Sequence, residues 1–285
     1  SDANDTHIKL LRYYHEAIGK PHCRKIIARE RSYHGVTVAA ASLTGLSITQ
    51  NHFDLPVDAL GILRTDHPHY YRGKQGEETE VEFVDRIVGN LEAMILREGP
   101  DTIAAFIAEP ITGASGVIVP PDGYFAELRQ ACDDRGMKLI FDEAQTAFGR
   151  IGAWSAAEKV GVTPDIMTVS KTLGGGIPLA GVVTSDEIED KAHRRGFNFY
   201  TSHVADPMPA AVGLAVIDVI DKENLRQRAL EQGDYLRRQL EILAQRHEAI
   251  DEIRGDGLLI GVELVKDRDS REPHHELGAL TTSRC

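Results

Sequence analysis

The sequence predicts an α/β fold, in which a mostly parallel sheet is flanked by helices and followed by the start of a smaller C-terminal α+β part. Three observations predict it. Short apolar runs bounded by Gly, Pro or charge recur at Lys25–Ala28, Ile103–Ala108, Leu139–Phe141, Ile166–Val169 and Ala180–Val183, the lengths and edges of buried strands. Helical patterns lie between them. Val81–Arg97 places Val84, Ile87, Val88, Leu91 and Ile95 on one face, and Tyr124–Arg135 does so with Phe125, Leu128 and Cys132 before Gly136 as a stop. Strand–helix alternation of this kind builds a parallel sheet covered on both faces. Thirdly, the pattern changes near Asp221: Leu225, Ala229, Leu236, Leu240 and Leu243 mark a long amphipathic helix, and Asp256-Gly257 leads into an apolar strand at Leu258–Leu264. Residues 1–220 therefore read as a large domain and 221–285 as the start of a second.

The bulk numbers narrow the class of partner. A chain of 285 residues with 42% hydrophobic and 27% charged residues is ordinary for a globular protein. Its net charge of −12 argues against nucleic acid or an anionic membrane as a partner. No apolar run approaches the ~20 residues a membrane span needs. Cys23, Cys132 and Cys285 form no CxxC pair, so a reducing compartment, the cytoplasm by default, is expected. His34, His52, His67 and His69 invite a metal reading, but no HExxH-like helical spacing supports it. The chain opens on Ser1 without Met and stops at Cys285 just past a helix start. Both ends read as cuts, so organellar targeting stays open.

Two strand ends carry chemistry. In Thr168-Val169-Ser170-Lys171-Thr172-Leu173-Gly174-Gly175-Gly176, a lysine stands at the end of an apolar strand and just before a run without side chains. That leaves room for a bulky partner at the carboxyl edge of a sheet, and partial burial would make the amine nucleophilic. The plain alternative is a turn lysine before a flexible loop. A phosphate loop is disfavoured because GxxxxGK[ST] is absent. In Leu139-Ile140-Phe141-Asp142-Glu143-Ala144-Gln145-Thr146, two adjacent carboxylates end a strand. They read as a magnesium-binding pair, or as one carboxylate facing a protonated pyridine nitrogen. Strand alternation sends them to opposite faces, so only one can serve such a ring.

Taken together, Asp142-Glu143-Ala144-Gln145-Thr146, Asp165-Ile166-Met167-Thr168-Val169-Ser170-Lys171 and Ile177-Pro178-Leu179-Ala180-Gly181 resemble class III aminotransferases of the fold-type I pyridoxal-phosphate (PLP) superfamily. The likeness runs across essentially the whole chain. It implies a seven-stranded-type sheet, PLP as cofactor, Lys171 as the Schiff-base lysine and general base, and Asp142 as the partner of the pyridine nitrogen. Ser1, Asp2 and Ala3 resemble the end of the phosphate-binding turn that opens a helix, a setting that suits an anion. The glycine expected before Ser1 is missing. Tyr33-His34-Gly35 resembles the element whose aromatic ring stacks on the cofactor. Ala144 falls where a small residue meets the opposite ring face, Gln145 resembles the partner of the phenolic oxygen, and Glu109 matches a carboxylate near Asp142. Ser202, in Tyr200–Pro207, corresponds to a residue that reaches the neighbouring subunit's phosphate, which implies a homodimer or a dimer of dimers.

Two halves of the likeness diverge. Gly35–Ser42 and Ala105–Pro121 look like ω-amino acid:pyruvate aminotransferases, whereas Asp206–Leu214 and Leu258–Arg268 are closer to 2,2-dialkylglycine decarboxylase. The latter implies an alkali-metal site at Ser202, Val204 and Asp206, against a reading of Asp206 as a helix cap before Pro207. Ala114 replaces a gating glutamate of some ω-aminotransferases. The substrate-gripping arginine is expected beyond residue 285. The expected reaction is ping-pong transfer of an amino group from an amino acid or amine to a 2-oxo acid such as pyruvate. Decarboxylation-dependent transamination and an inactive fragment are the alternatives.

Overall fold

The computed structural model describes residues 1–284. The chain opens with helix α1 (Asp2–Ala17), strand β1 (Lys25–Arg29), helix α2 (Val38–Leu43), strand β2 (Ile62–Thr65) and the single turn α3 (Tyr70–Gly73). Helix α4 (Glu80–Glu98), β3 (Ile103–Ala108), α5 (Tyr124–Arg135), β4 (Lys138–Asp142), α6 (Ala156–Val160), β5 (Ile166–Val169), β6 (Gly181–Thr184) and α7 (Asp186–Arg194) follow. The C-terminal part holds α8 (Pro207–Lys222), α9 (Leu225–Ala244), β7 (Ile250–Asp256), β8 (Leu259–Leu264) and α10 (His275–Arg284).

One sheet runs β2-β1-β3-β4-β5-β6. All its pairs are parallel except β5 with β6, which is antiparallel. The expected seven strands are thus six among the described residues. The stretch expected as a buried strand at Ala180–Val183 is the edge strand β6, where Val183 is 56% exposed. Strand alternation divides the core cleanly. Ile27, Phe106, Leu139 and Phe141 face α4 and α5. Ile26, Ala28, Ala105, Ile107, Ile140 and Ile166 face Ile8, Leu11 and Tyr14 of α1 and Ile188 of α7. Both faces are covered, which is why these strands read as unbroken apolar runs.

Helix α4 shows how local sequence sets an element. Thr79 and Glu82 form a reciprocal capping box at its start, and Phe83, Val84, Ile87, Val88, Leu91 and Ile95 bury one face. Strands β7 and β8 form a separate antiparallel pair. Their turn needs a glycine: Gly257 has φ +50°, and a Cβ there would lie 2.8 Å from the Arg150 carbonyl oxygen. Leu258 N–H donates to that carbonyl at 3.0 Å. The hairpin is thereby held against the segment that follows β4.

The order of strands reverses between β1 and β3, since β2 lies on one side of β1 and β3 on the other. Ligands of open α/β sheets bind outside the carboxyl ends of the strands, at such switch points. The carboxyl ends of β1, β3, β4 and β5 lead directly to His34, Glu109, Asp142 and Lys171.

Candidate active site

Asp142 ends β4, and Thr168, its register partner on β5, lies just before the turn that begins at Lys171. The carboxylate is buried and carries three contacts. Its Oδ2 accepts from Asn4 Nδ2 at 2.8 Å and lies 2.9 Å from His34 Nδ1, and its Oδ1 accepts from Ala144 N–H at 3.2 Å. Burial alone would raise its pKa, but the His34 hydrogen bond and electrostatic pull, with Asn4 and the Ala144 N–H, hold it well below the usual carboxylate range. An ionised carboxylate only accepts, so Nδ1 is the protonated ring nitrogen of His34 at this contact. Three donors thus keep a fully negative group at the strand end, with capacity left on Oδ1.

Glu143 turns the opposite way, as alternation demands. It accepts from Ala156 N–H at 2.9 Å and Ala157 N–H at 2.8 Å. Its work is to anchor the start of α6, and the two neighbours do not converge as a magnesium pair would.

Glu109 follows β3. Its carboxylate accepts from Tyr33 N–H at 2.8 Å and Gly113 N–H at 3.2 Å, and burial raises its pKa. It fixes the backbone of the Tyr33–Gly35 segment, while the Tyr33 ring stays partly open. Gly113 in turn faces Gln145: a Cβ at Gly113 would lie 1.9 Å from Gln145 Oε1. A side chain there would push Gln145 from its place.

A cavity of about 500 Å³ is lined by Gln145, Arg150, Lys171, Thr172, Gly175, Gly176 and Leu259. Asp142 at the end of β4, His34 in the loop after β1 and Asn4 on α1 are buried and do not form its wall. Lys171 is exposed rather than partly buried, because the glycines that follow place no side chain over it. Its backbone sits at φ +47°, a left-handed conformation that lysine rarely takes. Strain of this kind, of order 1–3 kcal/mol, gathers at functional positions.

Helix α1 brings its N-terminus to the same edge. Ser1 Oγ accepts from Val36 N–H at 3.0 Å. A Cβ on Gly35 would approach Ser1 Oγ to 2.5 Å, so glycine permits this contact. Asp2 is exposed in the first turn.

Ser202, Val204 and Asp206 stand apart. Ser202 and Val204 are exposed, and Asp206 Oδ2 lies 2.9 Å from His203 Nδ1. Asp206 occupies the cap position of α8 with Pro207 following, but its side chain makes no cap hydrogen bond. The histidines do not cluster as a set. Among the described residues, the group with metal-ligand spacing is His69, Glu252 and Glu263. Its carboxylates already hold Arg254 Nη1 at 2.6 and 2.7 Å.

Sequence reading missed Asn4, His7, Arg150 and Leu259. Asn4 and His7 fall on the buried stripe of α1 with Ile8, Leu11 and Tyr14. Polar residues at core positions of a helical stripe were the available sign. Burial holds the His7 pKa down at about 3, against the opposing pull of Asp142. Between pH 6.5, the unfolded value, and about 3, the unfolded chain therefore binds a proton that the folded one does not. Stability should fall with decreasing pH across that window by about 1.4 kcal/mol per unit from this residue. His7→Gln should flatten that slope, as read by urea unfolding at pH 7 and pH 5; an unchanged slope would contradict it.

The aminotransferase class-III family model matches residues 1–282. The chain belongs to the class-III aminotransferases. Among curated relatives, the diaminobutyrate–2-oxoglutarate transaminase of Halomonas elongata is 36% identical over 95% of this chain and 59% of its own length. The chloroplastic gamma aminobutyrate transaminase 3 of Solanum lycopersicum is 38% identical over 100% of the chain and 56% of its own length. The solved ω-transaminase of Pseudomonas jessenii in complex with PMP superposes with a TM-score of 0.91 at 40% identity, over 96% of this chain and 61% of that one. The chain thus spans less than two thirds of the length of these relatives. This class-III chain has no helix, among the described residues, that is long and apolar enough to cross a membrane.

Proposed function

We propose that this chain carries most of the cofactor-binding part of a PLP-dependent transaminase, which moves an amino group from an amine or amino acid to a 2-oxo acid such as pyruvate. The observation that carries the reading is the placement of Asp142 and Lys171 at the carboxyl ends of the adjacent parallel strands β4 and β5, beside a cavity walled by Lys171 and Gln145. The donor set suits the cofactor: a lysine amine, a buried ionised carboxylate with a spare acceptor site, and the N-terminus of the 16-residue helix α1.

Bound PLP supplies an electron sink for the bond broken at the substrate's α-carbon. Lys171 Nζ would take the proton from that carbon and hold it as an ammonium before giving it back. Asp142 would stabilise a proton on the ring nitrogen through its negative charge. Tyr33 and Ala144 would bound the two ring faces, Gln145 would donate to the phenolic oxygen, and Ser1 and Asp2 would lie at the phosphate end. His34 and Glu109 would act behind these groups.

The same proposal divides the chain near Asp221 into a large domain and the start of a small one, with α9 packed on the β7–β8 pair. It includes a homodimer in which Ser202 reaches the partner's phosphate, and a cytoplasmic location consistent with free, buried Cys23 and Cys132. It stops short of an alkali ion at Ser202, Val204 and Asp206, because His203 already engages the Asp206 carboxylate.

The test is to give the full-length protein PLP and pyruvate with β-alanine, an arylalkylamine or 2-aminoisobutyrate, following alanine and CO₂. Alanine without CO₂ from the first two donors is the expected result. CO₂ from 2-aminoisobutyrate would instead indicate decarboxylation-dependent transamination, and no turnover with any donor would contradict the proposal.

A further inference from the structure

The geometry points to Asn4 as a positioning residue that commits one oxygen of Asp142 and leaves the other for the cofactor. This deepens the reading above and rests on it. Both amide hydrogens of Asn4 are spent: Nδ2 donates to the His34 carbonyl at 2.6 Å and to Asp142 Oδ2 at 2.8 Å. Its Oδ1 is buried without a partner among the described residues. The amide cannot be turned over, because that would set its oxygen against a carbonyl and a carboxylate, two groups that only accept. Oδ2 of Asp142 is thus filled by Asn4 and His34 together, whereas Oδ1 meets only a longer contact from Ala144 N–H at 3.2 Å. The remaining acceptor capacity of Asp142 lies on that oxygen.

Asn4 also joins two ends of the candidate site. It sits in the first turn of α1, whose start at Ser1 packs on Gly35, while its amide grips the end of β4 some 138 residues away in sequence. A helix that presents its N-terminus at one end therefore aligns the carboxylate at the other. A side chain with no amide donor would keep α1 but release the carboxylate. The titratable groups around Asp142 are His7 on α1, His34 after β1, Glu109 after β3 and Glu143 just after β4. Of the side chains facing Asp142, Asn4 is the donor that cannot titrate.

Carboxyl-carbon NMR of the full-length apoprotein tests this without PLP. Asn4→Ala should raise the Asp142 titration midpoint by about one pH unit or more, as loss of a hydrogen bond to a charged group implies. Asn4→Asp, nearly isosteric, should raise it further, by setting a carboxylate against a carboxylate. In the PLP-loaded protein, either variant should raise the PLP dissociation constant about tenfold or more, read from visible absorbance. Should Asn4→Ala not fold, Asn4→Ser, too short to reach Oδ2, replaces it. An unmoved midpoint in a variant with unchanged near-ultraviolet circular dichroism overturns the proposal. Failure of the unsubstituted protein to bind PLP would sink the functional reading, while the midpoint would still judge Asn4.

Discussion

Lys171→Ala in the full-length protein is expected to lower kcat by about 10²–10⁴ from loss of the general base alone, and further because the cofactor loses its covalent anchor. The fold should be untouched. Lys171 is exposed and makes no side-chain hydrogen bond or ion pair among the described residues. Its φ of +47° is a conformation that alanine tolerates no worse than lysine. Thermal unfolding and turnover should therefore separate, with Tm within a degree or two and activity lost. Loss of both together would make Lys171 structural.

Asp142 offers the complementary case, in which activity and stability can be separated by choice of variant. Asp142→Asn retains the shape and one acceptor oxygen but removes the charge, and kcat should fall by about 10²–10³, as for loss of one preorganised electrostatic contact. Asp142→Ala should do this and also destabilise. It leaves Asn4 Nδ2 and His34 Nδ1 buried with no carboxylate to meet, at about 1–3 kcal/mol for each unsatisfied donor. Kinetics and urea unfolding of the pair measure the two effects apart. Equal activity in Asp142→Asn and the unsubstituted protein would show that the charge is not used.

The strands at Lys25, Ile103, Leu139 and Ile166 were legible because burial on both sheet faces makes them continuous apolar runs. Strand β2 was not, since Ile62-Leu63-Arg64-Thr65 is partly buried throughout and carries no clear period. Nor was β7, where Asp251, Glu252 and Arg254 interrupt Ile250 and Ile253; Arg254 pairs with Glu252 along the strand and with Glu263 across the hairpin, and Tyr71 donates to Asp251. At the candidate site, the placement of Asp142 at the end of β4 and of Lys171 just past β5 could be read because each lies within a recognisable motif. Asn4 could not, because its role exists only through a contact between α1 and β4. The exposure of Lys171 was misjudged for a related reason: a run of glycines fixes where side chains are absent, not what covers the space.

The most direct measurement is to load the full-length protein with PLP, reduce it with borohydride, digest it and locate the peptide that gains the mass of the cofactor. The account predicts one labelled peptide, containing Lys171, and none in Lys171→Ala. A label on another lysine, or full labelling that survives the substitution, would contradict the assignment of the amine at the end of β5.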